Sequence, residues 1–218
     1  MTGIAPIAPY DLPAEEDADQ DRTGWRPDPR RAALLIHDMQ SYFLRPFRQD
    51  TPPLTVVLPN AVQLRETCAS LGVPVFYTAQ PGDMTEDQRG LLGAFWGAGM
   101  AAAPEDRRIV DELTPDEADQ VLTKWRYSAF QRTPLLERLR AAGRDQLIVC
   151  GVYAHLGCLI TTVDAFSHDI QPFLVTDAVA DFNADDHRLA VSYAAHACAA
   201  TPTTKQVVEA LLGEGHPE

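Results

Sequence analysis

Ala32-Ala33-Leu34-Leu35-Ile36-His37-Asp38 is the stretch on which the fold turns. Its apolar residues follow one another without polar alternation, as a strand covered on both faces requires. Similar runs recur at Pro74–Thr78, Val121–Thr123, Gln146–Cys150 and Gln171–Thr176, and more weakly at Ala197–Ala200. Helical patterns lie between them. Val56–Leu71 is closed by Gly72, and Thr133–Ala142 has Thr133 as cap, Pro134 at the first helical position and Gly143 at the end. Asp185–Ala197 and Thr204–Leu212 complete the set. Buried strands alternating with helices predict an α/β architecture, a doubly wound parallel sheet of five or six strands with helices on both faces.

The chain has 218 residues, 45% hydrophobic and 22% charged, enough for one globular domain with a substantial core. Residues 1–30 carry Pro6, Pro9, Pro13, Pro27 and Pro29 among Glu15, Glu16, Asp17, Asp19 and Asp21, and read as an extended arm with a solvated acidic surface. Residues 31–218 read as a single domain. Thirty-one acidic residues against eighteen basic ones give a net charge of -13, which disfavours nucleic acid and anionic membranes. No apolar run approaches the roughly 20 residues of a membrane span. The N-terminus lacks the basic and apolar regions of a signal peptide, so the expected location is cytoplasmic. Cys68, Cys150, Cys158 and Cys198 are far apart and read as reduced thiols.

Ligands of an open parallel sheet bind beyond the carboxyl ends of its strands. Asp38, Gln80, Lys124, Tyr153 and Asp177 hold such positions and could converge there. Asp38 could be a general acid or base, or only a helix cap or loop acid. Lys124 opens Lys124-Trp125-Arg126-Tyr127-Ser128-Ala129-Phe130, whose cationic and aromatic groups suit a small anionic unsaturated ligand better than nucleic acid in so acidic a chain. Alternatively, Arg126 makes a surface ion pair while Trp125 and Phe130 pack in the core.

Gly97-Ala98-Gly99-Met100-Ala101-Ala102 has the spacing of a dinucleotide fingerprint, but it does not link the first strand to its helix and reads as a flexible loop. The chain has no G-x-S-x-G elbow, no phosphate-binding G-x-x-x-x-G-K-[ST] and no H-E-x-x-H. No metal and no cofactor are expected. Cys158, flanked by apolar residues, reads as a packed small hydrophobe.

The residues nevertheless form a recognisable set. Asp38, Lys124 in Lys-Trp-Arg-Tyr-Ser-Ala-Phe, and Gly151-Val152-Tyr153-Ala154-His155-Leu156-Gly157-Cys158 together resemble the isochorismatase family. The likeness continues through Thr78–Gly82, Gln88–Leu92, Phe95–Gly97 and Thr176–Phe182 and spans roughly residues 25–210. The N-terminal arm resembles that of phenazine-pathway members. This likeness implies a Rossmann-like fold, a homodimer, and hydrolysis of an enolpyruvyl vinyl ether on a small chorismate-derived anion. By resemblance, Asp38 is the acid and Lys124 its catalytic partner. Gln80, Arg89, Lys124, Tyr153 and the Gly157 amide would hold carboxylate and ring polar groups, while Phe43, Trp96 and Tyr127 would wall the pocket.

The wider superfamily includes amidases with an Asp-Lys-Cys triad. Asp38 and Lys124 match it, but the cysteine position falls on Gly157 and Cys158 is one residue off. Thr78-Ala79-Gln80-Pro81 also lacks the Asp and His that bind metal in that pattern. Both departures argue against amide hydrolysis, and the resemblance implies 2-amino-2-deoxyisochorismate as substrate, or isochorismate in a catecholate siderophore route. A cysteine amidase and a non-catalytic scaffold are the more distant alternatives. Six residues follow the last predicted helix, and the carrier domain of siderophore-pathway members is not expected.

Overall fold

The computed structural model describes residues 4–13 and 23–213. The acidic run of the arm lies outside the described residues. In chain order the elements are β1 (Ala32–His37), α1 (Ser41–Leu44), α2 (Leu54–Ser70), β2 (Val75–Ala79), α3 (Glu86–Arg89), α4 (Leu92–Trp96) and α5 (Pro104–Arg107), followed by β3 (Gln120–Thr123), α6 (Leu135–Ala141) and β4 (Gln146–Val152). A π-helical turn, Ala154–Cys158, leads into α7 (Leu159–Ser167), β5 (Gln171–Ala180), α8 (Ala184–Ala197) and α9 (Thr204–Leu212).

The five strands pair in the order β3-β2-β1-β4-β5, and every pairing is parallel. Unbroken apolarity in β1 is explained by its two destinations. Ala32, Leu34 and Ile36 join one core with Val57, Ala61 and Leu64 of α2 and Val207 and Leu211 of α9. Ala33 and Leu35 face the other way, into a core with Leu135 and Leu139 of α6, Ala165 of α7 and Ala190 and Ala194 of α8. Each fully buried leucine or isoleucine contributes roughly 1.5–3 kcal/mol, so neither face tolerates a polar strand residue without a partner.

Three expectations change. The weak sixth strand is not one: α8 runs through Ala197, and only Ala200 bridges to Phe173. Asp177 does not end the fifth strand, because β5 shifts register past Val149 and continues to Ala180. Asp177 instead accepts hydrogen bonds from the Thr204 amide and hydroxyl, each at 2.7 Å, at the start of α9. Finally, α7 forms where no helix was expected. Its Ile160-Thr161-Thr162-Val163 run has poor intrinsic helix propensity, but burial of Leu159, Thr161, Thr162 and Ala165 against the sheet overrides it.

Candidate active site

The strand order places the topological switch between β1 and β4: the chain leaves β1 for β2 and β3, then crosses to β4 and β5. Exit loops diverge at such a point and leave a crevice beyond the carboxyl ends. The last β1–β4 rung pairs His37 with Gly151, and a cavity of about 570 Å³ opens beyond it. All nine residues expected from the sequence line this cavity: Asp38, Phe43, Gln80, Arg89, Trp96, Lys124, Tyr127, Tyr153 and Gly157.

Asp38 and Lys124 lie at its base, 4% and 3% exposed. Asp38 follows β1 with a left-handed backbone (φ 49°), a conformation uncommon for a residue with a side chain. Thr78 of β2 fixes it at two points, accepting from the Asp38 amide at 3.0 Å and donating to Oδ1 at 2.6 Å. Lys124 Nζ donates to the other oxygen, Oδ2, at 3.0 Å. Burial pushes the Asp38 pKa upward, but the Lys124 charge and the hydrogen bonds from Thr78 and Lys124 outweigh it and hold the carboxyl below its ordinary range. The acid is therefore ionised before any ligand enters.

His37 completes the base. Its ring is buried, Nδ1 lies 2.8 Å from the Val152 carbonyl and 3.9 Å from Asp38 Oδ2. The carbonyl requires a proton on Nδ1. Burial, then the nearby Lys124 charge, lowers the His37 pKa to about 4, so the ring is neutral at physiological pH. Its far edge fills the space beside Gly157: a Cβ built there would lie 2.0 Å from His37 Cε1. The sequence hid this role because His37 ends an apolar run and reads as core.

Arg89 supplies a second cation. A capping box of Thr85 and Gln88 starts α3, and Arg89 at its end is 8% exposed. Nε donates to the Gly97 carbonyl at 2.9 Å, while Gly99 lies against the guanidinium, where an added Cβ would sit 2.7 Å from Cζ. The Gly97-Ala98-Gly99 loop is thus a cradle for an arginine. Among the described residues no carboxylate pairs with Arg89. A buried, uncompensated guanidinium facing a cavity suits a ligand carboxylate, to which it can donate two parallel hydrogen bonds. Arg126 also lines the cavity and donates to the Gln88 and Trp125 carbonyls at 2.7 and 2.6 Å. It therefore bonds to backbone rather than to the surface acid weighed for it above. Trp125 is only partly buried, whereas Phe130 does pack in the core.

The upper walls are aromatic. Trp96 Nε1 donates to the Tyr127 hydroxyl at 2.7 Å, leaving the Tyr127 proton free for a ligand. Tyr153 stacks on Phe182 with centroids 4.2 Å apart and meets Phe43 edge to face. Because the Tyr153 hydroxyl donates to the Phe43 carbonyl at 2.7 Å, it offers the cavity a ring face and an acceptor oxygen. Trp96 remains 39% exposed and stands at the mouth. Gln80 is held by its backbone: the Gln40 amide group accepts from Gln80 N at 2.7 Å and donates to Gln80 O at 3.0 Å. The Gln80 side chain is left for the ligand.

Phe182, Tyr42 and Met100 line the cavity without having been expected, as do Ile4, Ala5, Pro6 and Ile7 of the arm. Cys158 is fully buried beside Gly157, and burial raises its thiol pKa well above the ordinary value. It packs in the core and is no nucleophile.

A parallel sheet with a carboxyl–ammonium pair at its switch point, beneath an apolar cavity carrying two more cations, defines a small-molecule enzyme of the Rossmann-like α/β class. Residues 32–206 match the Isochorismatase domain, and the chain belongs to the isochorismatase family. It is 56% identical over 209 residues to the phenazine biosynthesis protein PhzD1 of Pseudomonas aeruginosa, covering 96% of this chain and 100% of that protein. It is 50% identical over 208 residues to the isochorismatase of Bacillus subtilis, covering 95% of this chain and 67% of the relative. The fold is similar to the crystal structure of a cysteine hydrolase from Pseudomonas syringae, with a TM-score of 0.78 at 22% identity over 88% of this chain and 97% of the other. No described helix is long and apolar enough to cross a membrane.

Proposed function

We propose that the protein hydrolyses the enolpyruvyl vinyl ether of 2-amino-2-deoxyisochorismate, releasing pyruvate and a trans-dihydro-3-hydroxyanthranilate-type product in secondary-metabolite biosynthesis. One observation carries this reading: a buried carboxyl–ammonium pair faces a cation-lined cavity in which the space beside Gly157 is filled by a neutral histidine. That arrangement supplies a proton and holds anions, but offers no attacking side chain.

The chemistry follows from the groups present. Protonated Asp38 delivers its proton to the methylene carbon of the enolpyruvyl group, and the double-bond electrons form the new C–H bond. Positive charge develops on the adjacent carbon and is shared with the ether oxygen. Water adds to that carbon and returns a proton to Asp38; the hemiketal then breaks its bond to the ring oxygen, giving pyruvate and a ring alcohol. General acid catalysis of this kind needs no covalent enzyme intermediate.

Asp38 is ionised in the free protein, so substrate binding must load it. The substrate's carboxylates, brought beside Asp38 as water leaves, raise its pKa and draw in a proton. Arg89 then acts as the carboxylate clamp, with Gln80, Tyr127 and the Gly157 amide as further donors. Lys124 and Thr78 fix the acid in place, while the aromatic walls exclude bulk water.

A second substrate is supported by the B. subtilis isochorismatase: isochorismate, which carries hydroxyl in place of amine and would give 2,3-dihydro-2,3-dihydroxybenzoate. Identity is higher to the phenazine protein, which favours the amino substrate. The reading includes a homodimer working in the cytoplasm. Pyruvate release from both substrates, with wild type and Asp38→Asn, tests it. Release that disappears in the variant supports the mechanism; no pyruvate from folded wild type overturns it.

A further inference from the structure

The described part of the N-terminal arm is bound into the molecule at its active-site end. Ile7 is 5% exposed and belongs to the core formed by α2 and α9. Its amide donates to the Pro46 carbonyl at 2.8 Å, and the Tyr10 amide donates to the Pro52 carbonyl at 3.3 Å. Between the chain's start and these anchors, Ile4, Ala5, Pro6 and Ile7 form part of the cavity lining, on the same cavity as Asp38, Lys124 and Arg89.

The hydroxyl of Tyr10 fastens this segment to the exit of β5. His187 Nε2 lies 3.1 Å from the Thr176 carbonyl, which requires the proton on Nε2 and leaves a lone pair on Nδ1. Tyr10 therefore donates its hydroxyl proton to His187 Nδ1, at 3.3 Å, and accepts the Asp181 amide at 2.7 Å. Burial lowers the pKa of His187, which keeps this neutral tautomer in place. One hydroxyl thus works in both directions across a gap of more than 170 residues. Its acceptor side holds the backbone of Asp181, next to Phe182, whose ring stacks on Tyr153 in the cavity wall.

We propose that Ile4–Ile7 form a specificity wall of the substrate site and that Tyr10 is the positioning residue holding both this wall and Phe182 in place. The inference rests on the proposed vinyl ether hydrolysis. Proton transfer belongs to Asp38, whose side chain bonds to Thr78 and Lys124, whereas Tyr10 bonds to His187 and Asp181, so the arm governs substrate affinity rather than the chemical step. Tyr10→Phe keeps the ring and its packing but leaves the Asp181 amide and His187 Nδ1 without their partner.

The test uses the full chain and measures KM and kcat for pyruvate release by wild type, Tyr10→Phe, Ile7→Ala and the exposed control Asp11→Asn. KM is expected to rise about tenfold in Tyr10→Phe and Ile7→Ala with kcat within about twofold, while the control keeps wild-type constants. A second measurement guards against misfolding of Ile7→Ala: hydrogen exchange at the Ile7 and Tyr10 amides in inactive Asp38→Asn, with and without saturating substrate. Slower exchange with substrate is expected. An unchanged KM in folded Tyr10→Phe, or exchange indifferent to substrate, overturns the wall while leaving the hydrolase intact. Wild type that releases no pyruvate overturns the hydrolase reading, and this inference with it.

Discussion

The imidazole of His37 occupies the space into which a side chain at position 157 would project, with Cε1 only 2.0 Å from a Cβ built on Gly157. The two residues come from different strands' exits, and each constrains the other. Gly157→Ala is expected to cost about 1–3 kcal/mol of stability, as overpacking of a closed site does. In Gly157→Ala/His37→Ala the combined cost should fall well short of the sum, which urea denaturation of the four proteins measures. Strict additivity would mean that the ring yields freely and the two positions are independent.

Asp38→Asn removes the transferable proton while keeping the side chain's shape. Pyruvate release is expected to fall by about 10²–10⁴-fold, the usual contribution of general acid catalysis. Far-ultraviolet circular dichroism and substrate protection against heat should stay near wild type. Residual activity close to wild type would place the proton donor elsewhere.

The same carboxyl dictates a pH trend. The Lys124 charge and the Thr78 hydrogen bond outweigh burial and hold Asp38 below its ordinary range, whereas the reaction needs it protonated. Across the neutral range kcat/KM should therefore rise as pH falls, by about tenfold per unit where Asp38 alone limits. A rate profile recorded with pyruvate detection checks the sign; kcat/KM rising toward alkaline pH would exclude Asp38 as the loaded acid.

Arg89 lines the cavity with Nε donating to the Gly97 carbonyl at 2.9 Å and Nη2 to the Trp96 carbonyl at 3.4 Å, which leaves Nη1 and one Nη2 proton for a ligand. Arg89→Lys retains charge but loses bidentate geometry. KM is expected to increase about tenfold or more with a smaller change in kcat. Equal affinity in the lysine variant would show that charge alone suffices.

His37 also makes stability depend on pH. Its folded pKa of about 4 lies below the unfolded value of about 6.5. The unfolded chain therefore binds the proton more readily, and this contribution is present above about pH 6.5 and lost as pH falls towards 4. Between about pH 7 and pH 5 the loss is about 2 kcal/mol. His155 runs the other way: despite the opposing effect of burial, its bonds to Asp181 raise its pKa, so its contribution is present below about pH 6.5 and fades as pH rises. The His37 share is isolated by comparing wild type with His37→Asn in chemical denaturation at both pH values. The variant should lose about 2 kcal/mol less on acidification than wild type.

Legibility in the sequence followed how local each signal was. Strands of a doubly covered sheet are written as unbroken apolar runs, and β1, β2, β4 and β5 could be read directly. Asp38 and Lys124 could be found because a strand end fixes where they go. Arg89 and Trp96 sit in the long excursion between β2 and β3, where no strand end points to the cavity; only the family likeness singled them out. His37 was concealed by its apolar neighbours. Tyr10 and His187 are polar residues that each look ordinary, and only folding brings them together. Asp177 misled for the opposite reason, since its position depended on where β5 stopped, and a register shift moved that end.

The hold of Gln40 on Gln80 has a mechanical consequence. Beyond the last paired residues of β1 and β2 no backbone rung joins the two exits, yet the Gln40 carboxamide meets both the N–H and the C=O of Gln80 and also donates to the Arg107 carbonyl at 2.7 Å. A side chain here mimics a peptide group and extends the ladder by one surrogate rung. The loops bearing Asp38 and Gln80 are thereby spliced together, so a force applied to one exit is carried to the other.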